Sequence, residues 1–449
     1  MTLTILIVPF VAAGIVYALR TLRLACATVA SLAALLIAAL LLIGGDAPAL
    51  VLLGRSLYLA APVRAHIAFT LVLLSAVLLT SWQLPEDPLA STLAFMALGF
   101  LLWALALGTL SLGVLLLVAS ILMMLMAVTA APGPASLWPV RVLAIVIGAA
   151  FLMLSAAWML EHSAGTSQNP GQLAPILLFL GSWVLMGAFP FSVWYVPALR
   201  SDSSVGRVLL GALLSHALLV HILLQLETVL APINALVPVL MFYAGIATLI
   251  LGGIGAAVQR RVSGVLAYLS MGSLGSALIA LGAGSSVSEA LGLTTLLYRG
   301  VGLTAMSIGV RTLTQSVGDD SLETMRGAFH RAPMAVLATL LGGFSLAGFP
   351  PLAGFTTNFT LFRMIASQSA QWAVALAATT ILPALALTRL ASRVFLVVPV
   401  PSSRREPRTA AIVGLVLGAL LLLLGLWPDA LSSLSGPWTD ILLSLTVAS

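Results

Sequence analysis

The stretch "SLAGFPPLAGFTTNF", residues 345–359, lies inside a long apolar segment and contains two adjacent prolines, Pro350 and Pro351. A proline within a helix removes a backbone hydrogen bond and clashes with the preceding turn, at roughly 3 kcal/mol. Hydrocarbon offers the freed carbonyls no partner, so such a break is tolerated at membrane depth only where protein or a water-filled cavity receives them. The stretch therefore predicts an interrupted helix whose prolines face the protein interior, running on to a neutral polar residue, Asn358. An echo occurs earlier, where "GAFPFSVW" (187–194) carries Pro190 in a similar break and apolar sequence again resumes. Broken helices at corresponding places in two halves mark inverted-repeat transporters. A simple proline kink is the alternative for either segment alone.

Composition agrees with a membrane setting. Of 449 residues, 61% are hydrophobic and 7% charged, and the mean hydropathy is +1.17. A soluble domain is about a quarter charged. Apolar runs of spanning length, about 20 residues, recur throughout. They read as spans at 2–19, 23–43, 63–82, 89–108, 110–130, 137–160, 172–199, 204–226, 232–258, 263–283, 287–312, 332–366, 370–398 and 409–427. The expected fold is an all-α polytopic membrane protein of about fourteen transmembrane helices, the seventh and twelfth broken. Its first span starts at Met1 without a basic leader, which reads as an uncleaved helix. The C-terminal segment beyond 428 reads either as an interfacial helix or as a poorly inserted span. Cys26 is the single cysteine, so no internal disulfide forms.

A net charge of +6 would suggest nucleic acid in a soluble protein. Here the positions of the charges explain it better, and no nucleic-acid partner is expected. Arginines fall mainly in alternate connections: Arg20 and Arg23, Arg141, Arg200 and Arg207, Arg260 and Arg261, then Arg311, Arg326 and Arg331, then Arg393, Arg404, Arg405 and Arg408. The opposite connections hold Glu161, Glu227 and Glu289. The positive-inside rule then places both termini on the outer, periplasmic side of a bacterial inner membrane. The acidic third connection, "PEDP" (85–88), dissents. All 19 basic residues are arginine, and arginine does not give up its proton when buried.

Three motifs are specific in combination. "FPFSVWYVPAL" (189–199) resembles the Pro-Phe-His-x-Trp-Leu-Pro-Asp-Ala segment of the antiporter-like subunits of respiratory complex I, a family that includes Mrp antiporter and membrane-bound hydrogenase subunits. "VQRRVSGVLAYLSMGSLG" (258–275) resembles their Gln-x-Asp-Leu-Lys-Arg-Leu-Leu-Ala-Tyr-Ser-Ser stretch. "RAPMAVLATLLGGFSLAGFPPLAGFTTNF" (331–359) resembles their motif of Met-Pro followed later by Ser-Leu-Ala-Gly-x-Pro-Pro-x-x-Gly-Phe. The resemblance implies two inverted five-helix repeats, here 89–226 and 232–398, flanked by N-terminal helices over 1–88 and a C-terminal helix and tail over 399–449. It also implies partner membrane subunits of a complex I-type, hydrogenase or Mrp-like assembly.

In that family a row of ionisable groups relays protons at mid-depth, and residue-by-residue transfer exposes departures. The fifth-helix glutamate falls near Ala119 and Ser120, the lysine of the first broken helix near Leu185, and the motif histidine at Ser192. The eighth-helix lysine corresponds to His216, the acid and base of the Gln-x-Asp-Leu-Lys stretch to Arg261 and Ser263, and the twelfth-helix lysine or glutamate to Asn358. Arg299 stands close to where the family keeps a lysine or histidine in its eleventh helix.

The candidate proton-path residues are therefore His216, His221, Asn358 and Arg299, and the break residues are Pro190, Pro350 and Pro351. Histidine is the natural proton carrier near neutral pH, and a neutral histidine bonded to a neighbouring helix is the alternative for both. His216 and His221 lie about 140° apart around one helix at about 100° per residue. Arg299 holds charge without exchanging it, and Asn358 can hold a water. "GGIGAA" (252–257) lacks a preceding strand, so close packing by small residues explains it better than a dinucleotide fingerprint. The chain has no haem pair, cysteine metal cluster or catalytic triad, so it is expected to carry no cofactor, and any redox chemistry would sit on other subunits. The leading expectation is a spacer or coupling subunit with its own proton path reduced or lost. The alternatives are translocation through His216 and water, or a stand-alone transporter of a small solute.

Overall fold

The computed structural model describes residues 2–43, 50–52, 55–84, 86–129, 138–164, 171–224, 227–397 and 405–428. The tail 429–449, expected as an interfacial helix or span, lies outside them. In chain order the helices are α1 (Thr2–Ala18), α2 (Arg23–Ile43), α3 (Ala61–Thr80), α4 (Pro88–Ala106), α5 (Leu110–Thr129), α6 (Trp138–Ala164), α7 (Leu173–Met186) and α8 (Ser192–Leu199). Next comes α9, a run of Ser204–Val208, the π-helical Leu209–Leu214 and Ser215–Leu224. The remainder are α10 (Leu236–Val258), α11 (Val262–Gly282), α12 (Ser286–Val317), α13 (Pro333–Leu346), α14 (Ala353–Gln368), α15 (Ala370–Val394) and α16 (Arg408–Leu426). Among the described residues eleven helices are long and apolar enough to cross a membrane. Three shorter apolar ones, α1, α7 and α13, bring the total to the fourteen read from the sequence. The protein is an all-α, multi-pass membrane protein.

One feature escaped the sequence reading, a small antiparallel pair of strands, β1 (Leu50–Leu52) and β2 (Arg55–Leu57), with Leu50 opposite Leu57. It belongs to the first compact unit, which holds α1–α7, most of α8, and α9. There α4 packs on α5 and α1, α2 on α3, and α6 on α7. Gly99 of α4 lets the Phe10 ring of α1 sit where a Cβ would be, 2.7 Å from the ring. The second unit holds α10–α16 with residues 83–84 and 188–192. In it α12 packs on α11, α13 and α16. Gly252 and Gly272 bring α10 and α11 so close that a Cβ on Gly252 would lie 2.5 Å from the Gly272 amide nitrogen, which bears out the packing role of "GGIGAA".

The two breaks share a frame. Helices α7 and α13 are each 14 residues long. Gly187 and Gly348 follow with φ of 73° and 75°, and each break contains a cis X–Pro bond. The next helix begins at Ser192 in one and Ala353 in the other, each five residues after its glycine. Turn bonds satisfy much of the interrupted backbone: Phe191 N–H donates to Ala188 O at 2.7 Å, Phe349 N–H to Phe344 O at 2.9 Å, and Leu352 N–H to Phe349 O at 3.1 Å.

The expectation that the prolines face the interior is corrected. Pro190, Pro350 and Pro351 are all exposed on the surface of the chain. Because local turns engage the Ala188, Phe344 and Phe349 carbonyls, the rings themselves need no polar shelter. What reaches inward is the flanking backbone: Phe189 N–H donates to Thr248 Oγ1 at 3.0 Å.

Carboxylates from the connections, adjoining or distant, cap the spans. Asp87 Oδ1 accepts from Leu89 N–H at 2.7 Å to start α4. Glu86 accepts from Ser204 N–H at 2.8 Å and from Ser203 Oγ at 3.0 Å to start α9. Both acids of the dissenting "PEDP" connection thus serve helix starts, where the macrodipole favours negative charge. Asp320 accepts from Ser263 N–H at 3.0 Å and from its hydroxyl at the start of α11. Glu406 accepts from Ala335 N–H at 2.7 Å at the start of α13. Burial pushes the Glu406 carboxyl up from its usual range, against the lowering effect of the Ala335 and Met334 amides.

Arginines do the converse at helix ends. Arg389 donates to Ala257 O, and to Gln259 O at 2.9 Å, at the end of α10. Arg207, read from the sequence as a connection arginine, is 1% exposed within α9, and its Nε donates to Leu199 O, the last residue of α8, at 3.1 Å. It is a capping group, because a guanidinium one turn into the helix reaches back to the carbonyls just before it.

Candidate polar site beside the second break

The second unit buries a guanidinium among hydroxyls. Arg299, in α12, is 2% exposed. Its Nε donates to the Ser270 carbonyl at 3.2 Å and its Nη2 to the Ser270 hydroxyl at 3.1 Å, both on α11. A buried cation inside a membrane needs polar partners of this kind. Next to it lies a cavity of about 10 Å³ bordered by Ser273, Ser276, Thr295, Ser345, Thr357 and Asn358. That is about the smallest space that admits one water, roughly 10–15 Å³. Glycines and serines of the break build its wall: Gly354 N–H donates to Ser345 Oγ at 3.3 Å.

Asn358 closes the site from α14. Its amide lies against the α-carbon of Gly348, in the space a Cβ there would need. That residue must therefore be glycine twice over, for its positive φ and for the contact. Asn358 also borders a second, larger cavity of about 320 Å³ between α10, α11, α14 and α15. Its lining is mainly apolar, including Leu249, Phe349, Pro350, Phe355 and Phe359, with Ser273 and Ser276 at the Asn358 end.

The structure thus brings Arg299 and Asn358 to one cavity. His216 and His221 belong to the first unit, on α9. His216 is 1% exposed and stands two residues beyond the π-helical turn, whereas His221 is half-buried. The other positions carried over by resemblance are occupied structurally. Ser120, fully buried, donates to Ala97 O of α4 at 2.7 Å and so ties two helices together. Leu185 is fully buried and apolar. Ser263 holds the Asp320 cap and Arg261 is exposed as the N-cap residue of α11.

Sequence reasoning missed His66, buried in α3 at 5% exposure. It also missed the π-helical turn before His216, where Gly211 is the sole sequence hint. Such turns in α-helices are frequent at functional sites.

The family model for the transmembrane region of NADH:quinone oxidoreductase/Mrp antiporter subunits matches residues 95–383. Subunit N of the F(420)H(2) dehydrogenase of Methanosarcina mazei is 26% identical, over 63% of this chain and 62% of that protein. The chain thus spans less than two thirds of that curated relative. The fold is similar to a chain of respiratory complex I from Thermus thermophilus, with TM-score 0.82 at 17% identity and 99% of both chains covered. It is also similar to a chain of the Mrp complex from Dietzia sp. DQ12-45-1b, with TM-score 0.77 at 18% identity and 98% of both covered.

Proposed function

The chain belongs to the NADH:quinone oxidoreductase/Mrp antiporter transmembrane family, and from that premise we propose that it is a spacer or coupling subunit whose own proton path is reduced or lost. It works beside other membrane subunits of a complex I- or Mrp-type assembly, in a bacterial inner membrane with both termini outside. Residues 89–226 and 232–398 form its two inverted repeats, a reading supported by the shared frame of the breaks.

One observation carries the proposal. Where a relay needs groups that change charge cheaply, this chain has Ser120 bonded to a backbone carbonyl, an apolar Leu185, a neutral Asn358 and a permanently charged Arg299. A fixed cation beside a water-sized cavity raises the energy of any proton or metal cation entering it. The test is His216→Ala in the intact assembly reconstituted into liposomes, where undiminished pumping is expected. A loss of about tenfold or more would favour the second reading, translocation through His216, which its burial beside the π-helical turn supports. Monodisperse, partner-free chain that drives solute uptake would overturn both.

A further inference from the structure

The 320 Å³ cavity plays no part in the reading above. Small-molecule sites typically span about 300–1,000 Å³, apolar with a few convergent polar groups, and this one has that composition. Three of its polar groups, Asn358, Ser273 and Ser276, also border the small cavity beside Arg299 and so mark its inner end, while the hydroxyls of Thr379 and Thr380 on α15 donate to carbonyls of their own helix. Its mouth lies among apolar surface: Phe359 is 47% exposed and Leu251, next to the lining residue Gly252, is 39% exposed. The rim residues Ala377 and Thr380 of α15 are exposed as well. In a membrane that surface meets hydrocarbon, so what enters is dissolved in the bilayer. The inner end is lined by Asn358 and two serines, with the fixed positive charge of Arg299 behind them, and so suits a head that accepts hydrogen bonds. The apolar walls suit a hydrocarbon chain.

We infer that this cavity binds a single-chain amphiphile of the fatty-acid type, its acceptor head at Asn358 and its chain running out between α14 and α15 to the lipid. The site is independent of whether protons cross the subunit.

The probe is a long-chain fatty acid carrying a photoreactive diazirine on its chain, applied to the purified intact assembly. Labelling is expected to concentrate on peptides within 353–394 and to be competed by the unlabelled acid. Thr380→Trp, which fills the mouth from an exposed position, is expected to cut that labelling at least tenfold, with Ala377→Phe as the second variant should the first fail to assemble. Leu423→Trp, at an exposed position of α16 away from the cavity, is expected to leave it unchanged. Wild type is expected to prefer the acid over an alkane of equal length, and Asn358→Leu to abolish the preference. Labelling no denser here than on other exposed helices, or unchanged in both mouth-filling variants, overturns the inference; so does exclusion of the probe by a neighbouring subunit's helix.

Discussion

The first break, at 187–191, and the second, at 347–352, start from the same backbone device and finish differently. In the first, the left-handed Gly187 packs against Tyr195: a Cβ would lie 2.6 Å from the Tyr195 Cβ. In the second, Gly348 packs against the Asn358 amide, and space for a water opens behind it. The helix that resumes is 8 residues long in the first and 16 in the second. A Gly-x-x-Pro break therefore fixes a turn, not a chemistry. The side chain folded back over the glycine decides whether the break is sealed by an aromatic ring or lined by a polar group.

The sharpest way to break this comparison is at the glycines. Gly348→Ala and Gly187→Ala each force a side chain into a left-handed conformation and into a neighbour, and each should lower stability by about 2–3 kcal/mol. Adding Asn358→Ala should recover part of the Gly348→Ala loss, because the obstacle is the end of a side chain. Adding Tyr195→Phe should recover none of the Gly187→Ala loss, because the obstacle includes Tyr195 Cβ. Thermal unfolding in detergent reads both, and equal rescue would refute the distinction.

Next in size is Arg299→Leu, which strips two donors from Ser270 and should cost about 1–3 kcal/mol. Amide hydrogen exchange should rise in 333–368 and stay unchanged in 173–199. Loss of one capping carboxylate is smaller, about 1 kcal/mol. Asp320→Ala should loosen the start of α11 and Glu86→Ala the start of α9, each seen as faster exchange in the first turn of its own helix.

The smallest effect is one of pH. The folded pKa of Glu406 is raised, with burial as the main cause, so the folded chain holds that proton more tightly than the unfolded one. The resulting contribution is fully present below the ordinary glutamate range and is lost as pH rises through the raised value. Glu406→Gln should flatten this dependence in melting curves taken across that window.

Spans, breaks and family motifs were legible because each is written in local sequence: hydropathy, Gly-Pro punctuation and residue order. The pairing of Arg299 with Ser270 was not, since it depends on how α11 and α12 rotate against each other. Arg207 misled for a related reason. Its arginine identity says connection, while its capping of Leu199 is a matter of three-dimensional reach. The outward prolines misled because the rule about buried carbonyls concerns the backbone, and their rings do not obey it.

Gly425 of α16 lies directly over the second break, its α-carbon facing the Pro351 carbonyl, in a gap that any larger residue would fill. That helix emerges from the ribosome after α14 and α15, so during synthesis the interrupted segment precedes its cover. A truncation before α16 would hand quality-control proteases a half-wrapped loop, and surveillance of the nascent chain should respond to the missing lid before any defect in ion movement shows.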